Sequence, residues 1–239
     1  VGTAIANAQL DQVYDANVLL EAALPEGVAP QQAVARVDAH FAAAGCVCRK
    51  WVMNPSAKPE ATRPLIEFLL AGGAEEAVDD VMYLARQPRT AMGDAGDLKI
   101  IPARASFKHA RQLAELAAAR WDCPQLVEAH LLHLDDPRWD SLNALKDGQA
   151  VAHVAVLAEG DAGLIEQVFV AEPHRRQGIG RVMMGRALEI CARSLFKHVM
   201  LAVQPDNAAA QSLYAGLGFG KIGEFVGYCP SGRPTLISA

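Results

Sequence analysis

The sequence lacks the features that mark several specialised classes of protein. Only 5 of its 239 residues are cysteines, an odd number scattered along the chain, so a disulfide framework of the kind that holds small secreted domains is not predicted. No run of about 18 apolar residues is present, so we expect no membrane span. Cationic excess is also missing, since the net charge is −5, which argues against nucleic acid as a partner.

The five cysteines fit a reducing, cytoplasmic setting, in which we expect them to be buried as small apolar side chains. Cys46 and Cys48 could form half of a metal site, but no second pair of Cys or His has a matching spacing, and we predict no metal. The first residues lack the basic start of a signal peptide, and Asp11 and Asp15 interrupt their apolar stretch.

What is present fits a soluble globular protein, with 51% hydrophobic and 21% charged residues. The length allows one large domain or two smaller ones. A small, polar, glycine-containing segment at 92–97 is typical of a linker, and it divides the chain into predicted domains at 1–92 and 97–239.

The second part predicts an order of elements β-α-α-β-β-β-α-β-α-β, a mixed α/β fold with helices interrupting an antiparallel series. Asp147-Gly148 is a strong hairpin signal. The predicted strands are 98–103, 141–146, 150–157, 164–170, 199–203 and 221–228, and the predicted helices are 107–121, 124–134, 179–194 and 207–215.

The most informative motif is Arg175-Arg176-Gln177-Gly178-Ile179-Gly180, which lies between a predicted strand and a predicted helix. The first amides of a helix have no internal partner and carry partial positive charge, so such a turn can bind an anion. Glycines allow a pyrophosphate to approach these amides closely. No Lys-Ser/Thr follows, which excludes the ATP/GTP loop, and Met183 stands where a dinucleotide fingerprint has its third glycine.

A second motif follows one helix and one strand later: Asn207, then Tyr214, then Gly218-Phe219. With the order of elements, the two motifs resemble the GNAT N-acetyltransferase superfamily over about residues 97–228. Arg175, Gly178 and Gly180 match its loop, Arg/Gln-x-x-Gly-x-Gly/Ala. The resemblance implies the GNAT acyl-CoA N-acyltransferase fold, a mixed, mostly antiparallel sheet flanked by helices.

The resemblance also implies acetyl-CoA as the acyl donor, with its pyrophosphate on the loop and its pantetheine beside the fourth strand of this domain. Tyr214 would protonate the departing thiolate, and Glu166 or a water chain would take the proton of the amine. The residues implied in binding acetyl-CoA are Val168, Phe169, Val170, Arg175, Arg176, Gln177, Gly178, Ile179, Gly180, Arg181, Asn207 and Tyr214.

Other polar residues have more than one interpretation. His130 and His133 have a spacing that can bind metal, but we expect a surface or substrate-lining role. Trp121, Trp139 and His153 are expected to pack. The acidic residues Asp135, Asp136 and Asp140 could attract a cationic amine, although a solvated acidic loop is the preferred interpretation.

When the sequence is shifted by 150 residues, the first part of the chain aligns with the second. Trp51-Val52-Met53 then falls on Leu201-Ala202-Val203, and residues 66–73 cover 213–220 after a slip of three. This predicts a degenerate half-copy of the same fold, β-α-β-α-β; the alternative is an unrelated helical subdomain. Glu26, Val28 and Pro30 replace Arg176, Gly178 and Gly180, so we expect one CoA site per chain.

The predicted function is therefore N-acetyl transfer from acetyl-CoA to a primary amine in a ternary complex. The alternative is a catalytically idle module that binds acetyl-CoA as a sensor or an assembly domain. The sequence identifies neither the acceptor nor the acyl chain length, and the chain could be a monomer or a homodimer.

Overall fold

The computed structural model describes residues 1–85 and 96–230. The predicted linker at 92–97 falls largely outside these ranges. The strands are β1 (Thr3–Ile5), β2 (Val18–Ala22), β3 (Lys50–Met53), β4 (Glu75–Leu84), β5 (Lys99–Pro102), β6 (Trp139–Lys146), β7 (Gln149–Glu159), β8 (Ala162–Val170), β9 (His198–Val203) and β10 (Phe219–Cys229). The helices are α1 (Pro30–Ala43), α2 (Pro59–Ala71), α3 (Phe107–Ala119), α4 (Gln125–Leu132), α5 (Ile179–Arg193) and α6 (Ala208–Ala215).

The chain forms two compact units. Of the described residues, one comprises 1–78, 120–126 and 226–230, and the other comprises 79–85, 96–119 and 127–225. Each unit therefore includes more than one segment of the sequence. The domain limits of 1–92 and 97–239 remain a prediction.

The second unit has an open, mostly antiparallel sheet in the order β10-β4-β9-β8-β7-β6-β5, with β10 as far as residue 225, flanked by helices, as predicted. Among the strand pairs of this unit whose register is described, only β8–β9 is parallel. β6 and β7 meet at the predicted hairpin, where Asp147 has φ +51° and Gly148 has φ +77°. Positive φ at both turn residues is what a two-residue hairpin needs, and Asp-Gly adopts it at little cost.

The core of this unit forms where α5 covers the sheet. Its buried face carries Val182, Met183, Ala187 and Ile190 at helical spacing, and they pack on strand residues such as Val154. Burial of an apolar side chain stabilises by about 1.5–3 kcal/mol, so this face holds the helix against the sheet. The position of α5 fixes the turn that precedes it.

The first 84 residues contain the predicted order β2-α1-β3-α2-β4, preceded by β1, which was not predicted; β4 begins in the first unit and continues in the second. β2 and β3 are parallel, as β8 and β9 are in the second unit. Trp51, Phe41 and Leu65 are the largest buried apolar side chains of the first unit. With the shift of 150 residues, α1 and β3 fall on α5 and β9, which agrees with the predicted overlay.

Each parallel pair has an antiparallel neighbour that comes from the other part of the sequence. β3 pairs with the end of β10, where Val52 lies opposite Gly227, whereas β9 pairs with β4, where Val203 lies opposite Asp80.

Within residues 1–85 and 96–230, no helix is long and apolar enough to cross a membrane.

Candidate functional site

β8 separates from its parallel neighbour β9 after a short pairing. Residues 162–164 pair with 198–200, whereas β8 continues to Val170. The register against β7 shifts along this stretch, and Gln167 has φ +53°, which identifies a β-bulge. In the described part of the chain, no strand pairs with residues 167–170 on the β9 side, so this edge of β8 is open. The gap between it and β9 can accept a strand-like ligand.

The turn at the end of β8 has the geometry of an anion site. Arg176 has φ +60° and Gly178, the N-cap of α5, has φ +81°, so both adopt the left-handed conformation. No side chain caps the helix, and among the described residues no backbone carbonyl accepts from the amides of Gly178, Ile179 or Gly180. These amides and the helix dipole point at the same place, which favours negative charge there.

The two glycines of the motif have different physical roles. Gly178 needs its left-handed φ, and a Cβ there would meet no atom within 4 Å. At Gly180 a Cβ would lie 3.4 Å from Leu213 and 3.8 Å from Val170, which is ordinary van der Waals contact. Protein packing therefore does not require a glycine at 180.

The basic side chains around the turn are partly engaged within the protein. Nε of Arg175 donates to the carbonyl of Val170 at 3.1 Å, and its guanidinium lies 3.8 Å from Glu172. Arg175 thus ties the turn to the end of β8. The guanidinium of Arg181 lies over the end of α6, 3.2 Å from where a Cβ on Gly216 would be. Arg176 is exposed.

Tyr214 and Asn207 lie at opposite ends of α6. The side chain of Asn207 accepts from the amide of Ala210 at 3.2 Å, which confirms the predicted cap. Tyr214 is 6% exposed and packs edge-on against Phe219, with ring centroids 6.2 Å apart. Burial, with a smaller contribution from Glu166, raises the pKa of its hydroxyl to about 12. The phenol therefore keeps its proton at neutral pH.

A chain of polar side chains that was not predicted crosses three strands near the bulge. Nδ1 of His153 lies 2.7 Å from Oδ1 of Asn143, and Nε2 of His153 lies 3.2 Å from Oε1 of Gln167. Nε2 of Gln167 lies 2.8 Å from Nδ1 of His133, whose ring stacks on Trp139 with centroids 3.9 Å apart and planes 4° apart. His153 was expected only to pack, and it lies instead at the centre of this chain.

Two members of this chain, His153 and Gln167, also border a narrow pocket under α3 and α4. It is lined by His130, Ser141, His153, Gln167 and Phe169 together with apolar residues of the two helices. Burial lowers the pKa of both His130 and His153 to about 4, and lowers that of His133 although Asp136 opposes the fall. All three imidazoles are therefore neutral at pH 7.

The charged loop beside this pocket is paired internally. Asp136 forms an ion pair with Arg138 at 2.7 Å, and Arg138 also reaches Glu159 at 3.6 Å. This agrees with a solvated loop. Across the described ranges, no group of three or more His, Cys, Asp and Glu side chains is placed to hold a metal ion. Four cysteines are buried, as expected, whereas Cys123 is only partly buried.

Residues 107–219 match the family described as "Acetyltransferase (GNAT) family". The chain contains a GNAT-family domain. All the residues predicted for the site, from Glu166 to Tyr214, lie inside the matched range. The strand gap, the turn before α5 and the two ends of α6 therefore belong to one GNAT domain.

Curated relatives share only part of this chain. The sequence is 38% identical over 84 residues to N-acetyltransferase family 8 member 3 of Rattus norvegicus, a match that covers 33% of this chain and 37% of that protein. It is 34% identical over 83 residues to the Mus musculus protein of the same name, covering 32% and 37%. The chain thus spans little more than a third of the relatives it matches.

Solved structures support the GNAT fold over a longer stretch. A GCN5-related N-acetyltransferase from Kribbella flavida superimposes with a TM-score of 0.61 at 17% identity, covering 91% of this chain and 82% of that one. A tandem GNAT protein from the clavulanic acid biosynthesis pathway gives 0.57 at 16% identity, covering 83% and 68%. These matches extend beyond the GNAT domain, and the tandem protein is consistent with a repeated fold in this chain.

Proposed function

We propose that this chain transfers an acetyl group from acetyl-CoA to a primary amine by direct attack in a ternary complex. The observation that carries the proposal is the end of β8 at 167–170, which has no described strand partner on the β9 side and leads into the turn with the open amides before α5. Tyr214 lies close enough to Glu166 of the same strand for that carboxylate to raise the pKa of its hydroxyl. In this proposal the pyrophosphate binds those amides, with Arg175, Arg176 and Arg181 at the rim. Gln177 shapes the turn through a 3.1 Å bond to the carbonyl of Pro173.

The unpaired backbone of β8 would hold the rest of the donor. Pantetheine takes the place of the missing strand partner and is held by main-chain groups of Val168, Phe169 and Val170. One N–H of this stretch binds the thioester oxygen. A donor of this kind, aimed at the developing oxyanion, is worth about 2.7–4 kcal/mol in other enzymes. Asn207 contacts CoA while it caps α6.

In the reaction, the amine lone pair attacks the thioester carbonyl carbon, the C–S bond breaks and the nitrogen loses a proton. We assign proton removal to Glu166, directly or through water. Tyr214 donates a hydrogen bond to the departing sulfur. Complete transfer of its proton to a thiolate of pKa about 8.5 would cost about 5 kcal/mol, since the pKa of Tyr214 is about 12. Hydrogen-bond donation, with solvent supplying the final proton, fits these values.

The test is to incubate the protein with acetyl-CoA and a panel of primary amines, and to measure CoA release together with the mass of the product. Acetylated amine and stoichiometric CoA are expected with at least one member. Acetyl-CoA binding without turnover across a broad panel, unaffected by Tyr214→Phe, would instead support the idle sensor or assembly module. No binding of acetyl-CoA would refute both.

A further inference from the structure

The polar chain Asn143–His153–Gln167–His133 links three strands to the end of α4. Asn143 and His153 are directly opposite each other in the β6–β7 ladder. Gln167 reaches His153 because the β8 bulge, at the φ of +53°, turns this residue out of the regular strand. A left-handed glutamine in a strand costs free energy, so the contacts that it makes must offset that cost.

The number of ring protons on His153 determines which way the hydrogen bonds of the polar chain point. In the contacts as described, both ring nitrogens of His153 face oxygens, which would need two ring protons and a cationic ring. Burial keeps the ring neutral, with a pKa of about 4. One of the two flanking amides must therefore be turned end for end, which changes its donors and acceptors but not its shape.

Asn143 is the amide whose reversal solves a second problem. It is fully buried, and its Nδ2 has no hydrogen-bond partner. A buried N–H without a partner costs about 1–3 kcal/mol, and an unpaired oxygen is more common. Turned, Asn143 donates to Nδ1 of His153, Nε2–H of His153 donates to Gln167, and Gln167 donates to Nδ1 of His133. Every hydrogen bond of the polar chain then has its donor on the Asn143 side and its acceptor on the His133 side.

The last member of the chain presents a donor. Because Nδ1 of His133 accepts from Gln167, its single proton lies on Nε2, which has no partner among the described residues. Stacking on Trp139 holds the ring in place. Ala155 is opposite Glu166 and His153 is opposite Phe169, so Glu166 lies on the same sheet face as His153. An amine that approaches Glu166 on this face meets the polar chain.

We propose that the polar chain of Asn143, His153 and Gln167 fixes His133 as a hydrogen-bond donor. This donor selects amine acceptors that carry a nearby oxygen, such as a carbonyl or ether oxygen. Simple alkylamines lack the atom that Nε2–H would bind. The proposal rests on the proposed function for the identity of the ligand, but the direction of the hydrogen bonds does not depend on it.

Histidine side-chain NMR of the full chain tests that direction without any turnover. We expect long-range proton–nitrogen spectra to show His133 and His153 as neutral rings protonated on Nε2. In Gln167→Glu the carboxylate can only accept, so His133 should change to the Nδ1-protonated or cationic form while His153 keeps its proton on Nε2. A wild-type His133 protonated on Nδ1, or one unaffected by Gln167→Glu, would overturn the proposal.

Kinetics test the selection. His133→Phe keeps an aromatic ring on Trp139 but removes the donor. It should raise KM about tenfold or more for an amine with a neighbouring amide carbonyl, and leave KM unchanged for an alkylamine of equal length. Equal effects on both amines would refute a selective role. If no amine is acetylated, the proposed function fails and the NMR result alone decides the direction of the chain.

Discussion

The hydroxyl of Tyr214 and the carboxylate of Glu166 are coupled although they belong to α6 and β8. Burial is the main reason that the pKa of Tyr214 rises to about 12, and the negative charge of Glu166 adds to the rise. The same carboxylate that would take a proton from the amine therefore helps to keep the phenol protonated. A carboxylate that can take a proton and a phenol that keeps its own suit opposite ends of one transfer.

Tyr214→Phe should lower kcat about 100-fold and leave KM for acetyl-CoA nearly unchanged, because the lost hydrogen bond forms at the departing sulfur. Steady-state kinetics at several pH values measure this. Because the pKa of Tyr214 is about 12, wild-type activity should show no fall from its ionisation below pH 10. A fall near pH 9 to 10 that disappears in Tyr214→Phe would contradict the assignment.

Alanine at the two glycines of the turn should separate stability from binding. Gly180→Ala is expected to keep the melting temperature, because its Cβ meets Leu213 and Val170 at ordinary distances. It should weaken acetyl-CoA binding, because a Cβ in the first turn of a helix tilts towards the N-terminus, where the pyrophosphate would bind. Gly178→Ala is the matched comparison. Its φ of +81° strains an alanine, so unfolding should become easier by about 1 kcal/mol or more.

Differential scanning calorimetry and acetyl-CoA titration measure both effects. Normal acetyl-CoA affinity in Gly180→Ala would show that the pyrophosphate does not approach the amide of residue 180. A large fall in its melting temperature would show instead that the turn packs more tightly than these distances indicate.

The frame of the GNAT domain could be predicted because local signals agree with each other. Asp147-Gly148 specifies its hairpin by backbone conformation alone, and Asn207 caps α6 through its own side chain. The turn before α5 was predictable for the same reason, since Gly178 and the helix start are adjacent in sequence; its use as an anion site remains a prediction. Each of these depends on neighbours within a few residues.

The polar chain could not be predicted, because its members come from four separate segments. A signal was present: Asn143, His153 and Gln167 are polar residues inside mostly apolar strand sequences. Their pairing, however, depends on the register of β6 with β7 and on the bulge at Gln167, which shifts the register of β8. A bulge of this kind has no reliable local signature without glycine.

A single acetyl-CoA should bind per chain, as the sequence predicts for a degenerate half-copy. β2 and β3 remain paired as far as Ala22 and Met53, and the amide of Asn54 donates to the carbonyl of Ala22 at 3.0 Å. This closes the gap that β8 and β9 leave open. α1 begins with Pro30, which has no amide proton to offer an anion.

Titration calorimetry of the full chain should therefore give a stoichiometry near one, and Gly180→Ala should weaken that site. A second site that survives in Gly180→Ala would show that the first repeat also binds acetyl-CoA.

Stability should fall as the pH is lowered from about 6.5 to about 4, because His130 and His153 are buried and neutral in the folded protein. Their pKa of about 4 lies below the unfolded value of about 6.5, so the unfolded chain binds more protons throughout this window. Each histidine can contribute up to about 1.4 kcal/mol per pH unit. Asp136 affects stability at lower pH than the histidines do, because its hydrogen bonds from Arg138 hold the pKa of its carboxyl at about 2.

Urea unfolding at pH 4.5, 5.5 and 6.5 measures the slope, and His153→Gln should flatten it because glutamine does not titrate. His40→Gln, the same substitution at an exposed position, is the control and should keep the wild-type slope. His153→Gln can also lower stability at every pH by disturbing its hydrogen bonds, but a uniform loss leaves the slope alone. Parallel curves for wild type and His153→Gln would mean that this imidazole is already protonated in the folded protein, which would also remove the basis for the one-way chain to His133.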